Sequence, residues 1–213
     1  MKLVVYAATL DGVLNLEKID KKYRDSVALF FATVNILGGR VRVLSCGCEK
    51  KILGAEDVKT DKAVKVETTD NKALNRVYEL NRLFLGFRAS GTTFSANVPS
   101  EYVPFLLAAA VFSNSETVFC KGVADKKIVE VIKSLGCFVN VCNDDLRIGT
   151  GRDKSCKKIK TDSYAAALCA LLVAVSDKDE KTTIEINCRE KEKSLDVIIG
   201  LINEYGGTIK IIG

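Results

Sequence analysis

Ser163-Tyr164-Ala165-Ala166-Ala167-Leu168-Cys169-Ala170-Leu171-Leu172-Val173-Ala174-Val175 is the stretch on which the fold turns. It is apolar nearly all round, so a helix formed here has no face to offer water and predicts a core element buried on most sides. Lys157-Lys158-Ile159-Lys160 precedes it as a strand, and 182–187 follows with the period of two that marks another. Next comes a helix of a different kind, with Leu195, Ile198, Ile199 and Ile202 on one face. Gly206-Gly207 ends it, and Thr208-Ile209-Lys210-Ile211 reads as a closing strand. The unit is β-α-β-α-β, its first helix buried and its second amphipathic.

The same grammar stands upstream. Residues 93–98 alternate like a strand, Pro99-Ser100-Glu101 reads as a helix start, and 102–112 is a Leu/Ala-rich core helix. A strand at 117–120 leads into an amphipathic helix over 125–135, with Ile128, Val131, Ile132 and Leu135 on one face and Gly136 as its C-cap. Strands at 138–141 and 146–148 complete that unit. The first 90 residues fit more loosely, with a strand at 3–8, a helix at 25–37, strands at 40–44 and 64–66, and a helix at 72–85. Leu85-Gly86, Leu135-Gly136 and Tyr205-Gly206 each end a second helix. The fold class expected is therefore α/β. One domain, 1–213, is built of three repeats near 1–90, 91–150 and 151–213, and a period of roughly 60–80 residues suits a pseudo-threefold arrangement better than a linear stack.

Composition removes several classes of function. With 213 residues, 47% hydrophobic and 28% charged, the chain has the make-up of a globular protein with a substantial core. Its longest apolar run, 103–112, is about half the ~20 residues needed to cross a bilayer, so no membrane partner is expected. Cys120, Cys169 and Cys188 sit inside strand or helix patterns, as small buried hydrophobes do in a reducing compartment, and the localisation expected is cytoplasmic. Cys46-Gly47-Cys48 is the one close pair, and in a chain with no His a zinc site lacks its remaining ligands. The net charge of +5 comes from Lys and Arg scattered among Asp and Glu, not from a basic block interleaved with aromatics. That reads as solvated surface with room for a phosphorylated small molecule, and no nucleic-acid partner is expected.

Local motifs add a resemblance. Thr161-Asp162-Ser163-Tyr164-Ala165-Ala166-Ala167-Leu168, Arg189-Glu190-Lys191-Glu192-Lys193-Ser194-Leu195 and Val98-Pro99-Ser100-Glu101 with its following Leu/Ala run resemble segments of the enolpyruvyl transferases, such as 3-phosphoshikimate 1-carboxyvinyltransferase (EPSP synthase). The resemblance implies an inside-out α/β barrel domain of three β-α-β-α-β-β repeats, with helices inside and sheets outside. It also implies transfer of an enolpyruvyl group from phosphoenolpyruvate to shikimate 3-phosphate, in aromatic amino-acid biosynthesis, with no cofactor. Those enzymes close substrate between two such domains, so this chain would need a second half or a homodimer partner.

On that resemblance Lys191 lies near the phosphate leaving group, Glu192 donates a proton to the methylene carbon, and Asp162 is the base on the attacking hydroxyl. Arg189, Glu101 and Ser100 occupy substrate-binding motif positions. The chain also departs from the pattern. The motif's final Arg, which implies binding of the phosphoenolpyruvate carboxylate, falls on Leu195, and its Asp falls on Ser194; the family's tandem serines and its Pro-Gly-Asp-Lys-Ser signature are missing. An aliphatic side chain supplies no cationic fork.

Read by themselves, Asp162 and Glu192 are acidic residues at helix starts, which the helix dipole favours, and Lys191 is ordinary surface. Arg88-Ala89-Ser90-Gly91-Thr92-Thr93 has groups that suit a phosphate but no helix start behind it, and reads as a simple loop. A non-catalytic relative that binds a ligand or a protein partner is the alternative function. An RNA-processing cyclase of related repeat architecture is disfavoured, since its covalent chemistry implies a His.

Overall fold

The computed structural model describes residues 1–44, 72–87, 92–94, 98–120, 125–143, 145–152, 158–177, 181–188 and 192–212. In chain order the elements are β1 (Lys2–Tyr6), β2 (Asp11–Asn15), α1 (Arg24–Ile36), β3 (Arg40–Leu44), α2 (Lys72–Phe87), β4 (Thr92–Phe94), α3 (Val103–Ala110), β5 (Thr117–Phe119), α4 (Lys126–Ser134), β6 (Cys137–Cys142), β7 (Asp145–Arg152), β8 (Lys158–Thr161), α5 (Tyr164–Ser176), β9 (Lys181–Ile186), α6 (Glu192–Glu204) and β10 (Thr208–Ile212). The expected strand at 64–66 and the Cys46-Gly47-Cys48 pair lie outside the described residues.

Three β-α-β crossovers join neighbouring parallel strands: β2-α1-β3, β4-α3-β5 and β8-α5-β9. In each, the crossing helix is the apolar one. Every residue of α3 is buried, as is α5 from Ala166 through Val175, and these two helices pack on each other and on α1. By contrast α4 buries only Ile128, Val131 and Ile132 from its body. The split seen in the sequence is thus a split in position: helices without a polar face fill the centre and amphipathic ones flank them. Burying side chains such as Phe30, Phe105, Leu107 and Leu171 contributes roughly 1.5–3 kcal/mol each.

The described strands form three separate sheets and no closed barrel among the described residues. Two are four-stranded and share one plan. In order β4-β5-β7-β6, the first pair is parallel and the next two antiparallel; in order β8-β9-β1-β10 the directions repeat. In the second sheet, therefore, β1 fills the place that β7 fills in the first. Both β9 and β10 run antiparallel to β1, which sits between them with Leu3 and Val5 turned to the core. A further strand, β2, stands where none was expected, because Gly12 and Asn15 weaken its apolar alternation.

Two helix-to-strand connections use the same device. Asn35, at the end of α1, donates its amide to the Val41 carbonyl at 2.5 Å and accepts the Val41 N–H at 2.8 Å. Asn203, at the end of α6, does likewise with Ile209 at 3.2 and 2.7 Å. Each is followed by two glycines. Gly38 and Gly206 take φ of +109° and +91°, the left-handed conformation that ends a helix, and Gly39 and Gly207 donate N–H bonds to Val34 and Ile202 at 2.9 and 2.8 Å.

The central helices run the same way. Arg76 of α2 reaches Asp25 at the start of α1 and Glu101 just ahead of α3, which puts those two N-termini at one end of the molecule. At the opposite end, a small crevice lined by Val34, Leu37 and Ser176 brings the C-termini of α1 and α5 together. One face therefore collects the N-termini of the buried helices.

Candidate functional site

That N-terminal face gathers several of the residues singled out from sequence. The entry to α5 is built by short polar links. Thr161 Oγ1 accepts the Ser163 N–H at 3.2 Å, and Ser163, the N-cap, accepts the Ala166 N–H at 3.4 Å. Asp162 stands between them, one residue ahead of the cap, and its carboxylate turns outward to Lys127 Nζ at 2.8 Å. Both groups are about half exposed, at 60% and 49%. The hydrogen bond from Lys127 lowers the Asp162 pKa below the ordinary Asp value, and the same bond raises that of Lys127, so both are charged at neutral pH.

Beside it, the Tyr164 hydroxyl and Ser194 Oγ share a hydrogen bond of 2.8 Å, which ties the start of α5 to the first turn of α6. Glu192 is the first residue of α6. Lys191 and Arg189 lie outside the described residues.

At the entry to α3, Ser100 and Glu101 form an exposed turn in which the Val103 N–H donates to the Ser100 carbonyl at 3.3 Å. Glu101 meets Arg76 at 3.6 Å, while Arg76 also holds Asp25 at 3.1 Å. Directly after it Tyr102, 2% exposed, donates its hydroxyl to the Glu79 carboxylate, and burial pushes its pKa well above the usual range. Thus Asp162 stands at the entrance of α5 and Glu192 at the start of α6, whereas Ser100 and Glu101 belong to the α2/α3 entrance of the same face.

Sequence reasoning missed Lys127, Arg76, Tyr102 and Tyr164. One signal could have found the first two. A helix N-terminus favours acids, yet neither α2 nor α4 has one within its first turn: α2 opens with Lys72, and α4, capped by Asp125, opens with Lys126-Lys127. Cations placed against the dipole call for a partner in space. They find it in the carboxylates at the entrances of the buried helices.

The motif positions that departed from the family pattern are in the core. Leu195 is fully buried and Ser194 is 3% exposed. Among the described residues no group of three His, Cys, Asp or Glu side chains could hold a metal ion, and no helix is long and apolar enough to cross a membrane.

No family model and no curated protein matches the chain in sequence. Among solved structures it is similar to the enolpyruvyl transferase NikO from Streptomyces tendae, at 15% identity and a TM-score of 0.60 over 88% of this chain. The chain spans 43% of that protein's length. At this identity the likeness is one of fold: a mixed α/β structure resembling part of an enolpyruvyl transferase.

Proposed function

We propose that the chain is one lobe of an enolpyruvyl transferase of the EPSP synthase type, with its helix N-terminal face turned toward a phosphorylated substrate and a second lobe closing over it. On this reading residues 1–213 are a single domain of three units about a pseudo-threefold axis, with β2, α1, β3 and α2 in the first. The observation that carries the proposal is the gathering of buried helix N-termini on one face, with the Asp162–Lys127 pair at its surface, in a fold similar to NikO. Helix N-termini attract anions through their unpaired N–H groups and their dipoles.

The pair gives that face its chemistry. While Lys127 holds Asp162, the carboxylate is ionised but a weak base. A substrate phosphate that drew Lys127 onto itself would free the carboxylate and strengthen it as a base toward a nearby hydroxyl. That hydroxyl would attack the central carbon of phosphoenolpyruvate while Glu192 protonates the methylene. Loss of phosphate beside Lys191, with return of the methylene proton, would complete the transfer. Water must be excluded from such a site, which is the role of the second lobe.

A second reading is favoured by Leu195. Because that position is buried in the core, the chain supplies no cationic fork there for the phosphoenolpyruvate carboxylate, as expected of a relative that binds its ligand without turning it over. One experiment separates the two. Phosphate release from phosphoenolpyruvate with shikimate 3-phosphate, abolished by Asp162→Ala, supports the transferase. Thermal stabilisation by either ligand without phosphate release supports the binding relative. Neither signal, tested with a homodimer or a supplied second lobe, would defeat both.

A further inference from the structure

The solvent face of the β8-β9-β1-β10 sheet has a charge pattern of its own. Strand register places Ile212, Lys2, Glu185 and Lys160 in one row across it, Lys210, Val4, Thr183 and Lys158 in the next, and Thr208, Tyr6 and Lys181 in the third. Five of these positions are lysines, all exposed. The single acid, Glu185, is already engaged by Lys160 at 3.3 Å. No two lysines are directly opposite one another, an arrangement that avoids the cross-strand repulsion that would weaken the sheet. Tyr6 lies half-buried among them, with the ammonium groups of Lys181 and Lys210 at 5.7 and 5.8 Å from its ring centroid.

The other four-stranded sheet provides an internal comparison. Built on the same plan, it carries on its outer face Thr93, Val118, Asn140 and Arg147, with Arg147 held by Glu116 at 3.4 Å, and Asp145 paired opposite Cys142. Sheet architecture alone thus does not demand a basic surface. The concentration of lysine belongs to one sheet and is assembled from four strands at both ends of the sequence, which is why it reads as scattered charge along the chain.

We infer that this sheet face binds a single-stranded nucleic acid, its lysines holding the phosphates and Tyr6 offering a ring on which a base stacks. A basic platform with an aromatic in its end row suits that partner: backbone charge is met by the ammonium groups, and every base has a face to stack. An anionic membrane would meet the same lysines and would accept a tyrosine at its interface, but it offers no row of flat bases to lie on the ring, and the vesicle arm of the test separates the two.

The test is fluorescence anisotropy of a labelled 20-mer oligodeoxythymidylate with the intact chain. With four lysines free of Glu185, the log–log salt slope for a single strand should be about −3, a loss of about 50-fold in affinity between 50 and 200 mM salt. Lys181→Glu with Lys210→Glu should reduce the slope by about one to two units and abolish binding at 200 mM. Lys21→Glu with Lys133→Glu makes the same change of net charge elsewhere and should do much less. Tyr6→Leu keeps the apolar bulk and should weaken binding roughly 5- to 100-fold through lost stacking. Circular dichroism checks that each variant is folded. The inference is overturned by absence of binding at 50 mM salt, by equal effects of the two double variants, or by indifference to Tyr6→Leu with inorganic polyphosphate or phosphatidylserine vesicles bound as tightly as the oligonucleotide. None of these outcomes depends on phosphate release from phosphoenolpyruvate, so this inference and the transferase reading fail separately.

Discussion

Replacing Gly207 with alanine tests the connection that delivers β10 to its sheet. A methyl group built there would stand 2.8 Å from the Ile202 carbonyl oxygen and 3.0 Å from Leu10 Cδ2, and would meet the Ile202 side chain as well. Neither neighbour can retreat, since Ile202 and Leu10 are fully buried and the carbonyl is helix backbone that accepts the Gly207 N–H at 2.8 Å. Overpacking of this kind costs about 1–3 kcal/mol, and stretching that hydrogen bond adds about 0.5–1.5 kcal/mol. The expected loss is therefore about 2–4 kcal/mol. Gly206→Ala is the comparison: its Cβ meets open space, so only the strain of a φ of +91° applies, about 1–2 kcal/mol. Urea unfolding followed by circular dichroism measures both. At a slope of about 2 kcal/mol per molar, Gly207→Ala should lower the midpoint by about 1–2 M with the slope unchanged. A Gly207→Ala protein within about 0.5 kcal/mol of the parent, or a larger loss from Gly206→Ala, would refute the steric argument.

Two further expectations follow from the packing and from the surface pair. The Asp162 carboxyl, followed by NMR, should titrate below the ordinary Asp range, because Lys127 donates to it, and Lys127→Met should return the midpoint toward that range. Since the folded pKa is the lower one, the contribution of the pair is present above the unfolded value and is lost as pH falls through the folded value. The stability difference between parent and Lys127→Met should thus disappear on acidification, and a difference that grows would contradict the assignment. At the centre of α5, Leu171→Ala should cost about 2–5 kcal/mol in the same urea assay, because helices α1 and α3 pack around a side chain with no exposure; a loss under about 1 kcal/mol would mean the core is not there.

Much of the architecture was legible because it is written in local periodicity. The all-apolar run 164–175 allows only a buried helix, and Ile128, Val131 and Ile132 allow only a one-sided one, so the alternation of central and flanking helices needed no coordinates. The candidate site was legible in part. Asp162 and Glu192 could be named from motif likeness, but the partner of Asp162 could not. Lys127 is 35 positions away in a different helix, α4, and nothing local in 161–168 refers to it.

What the sequence determined by itself, then, is the inventory of elements and which face of each is apolar, since helix and strand periods express a side chain's neighbours three, four or two residues away. Tertiary structure alone decided which elements share a sheet. It took β1 from the start of the chain to complete the sheet of β8, β9 and β10, a pairing that depends on register between segments at opposite ends of the chain, as Lys2 opposite Ile212. The same closure turned Lys2, Lys158, Lys160, Lys181 and Lys210 from dispersed charges into one face that includes Tyr6. Charge in a sequence is a sum over the chain, whereas a field at a surface depends on separation in space, and only folding sets that.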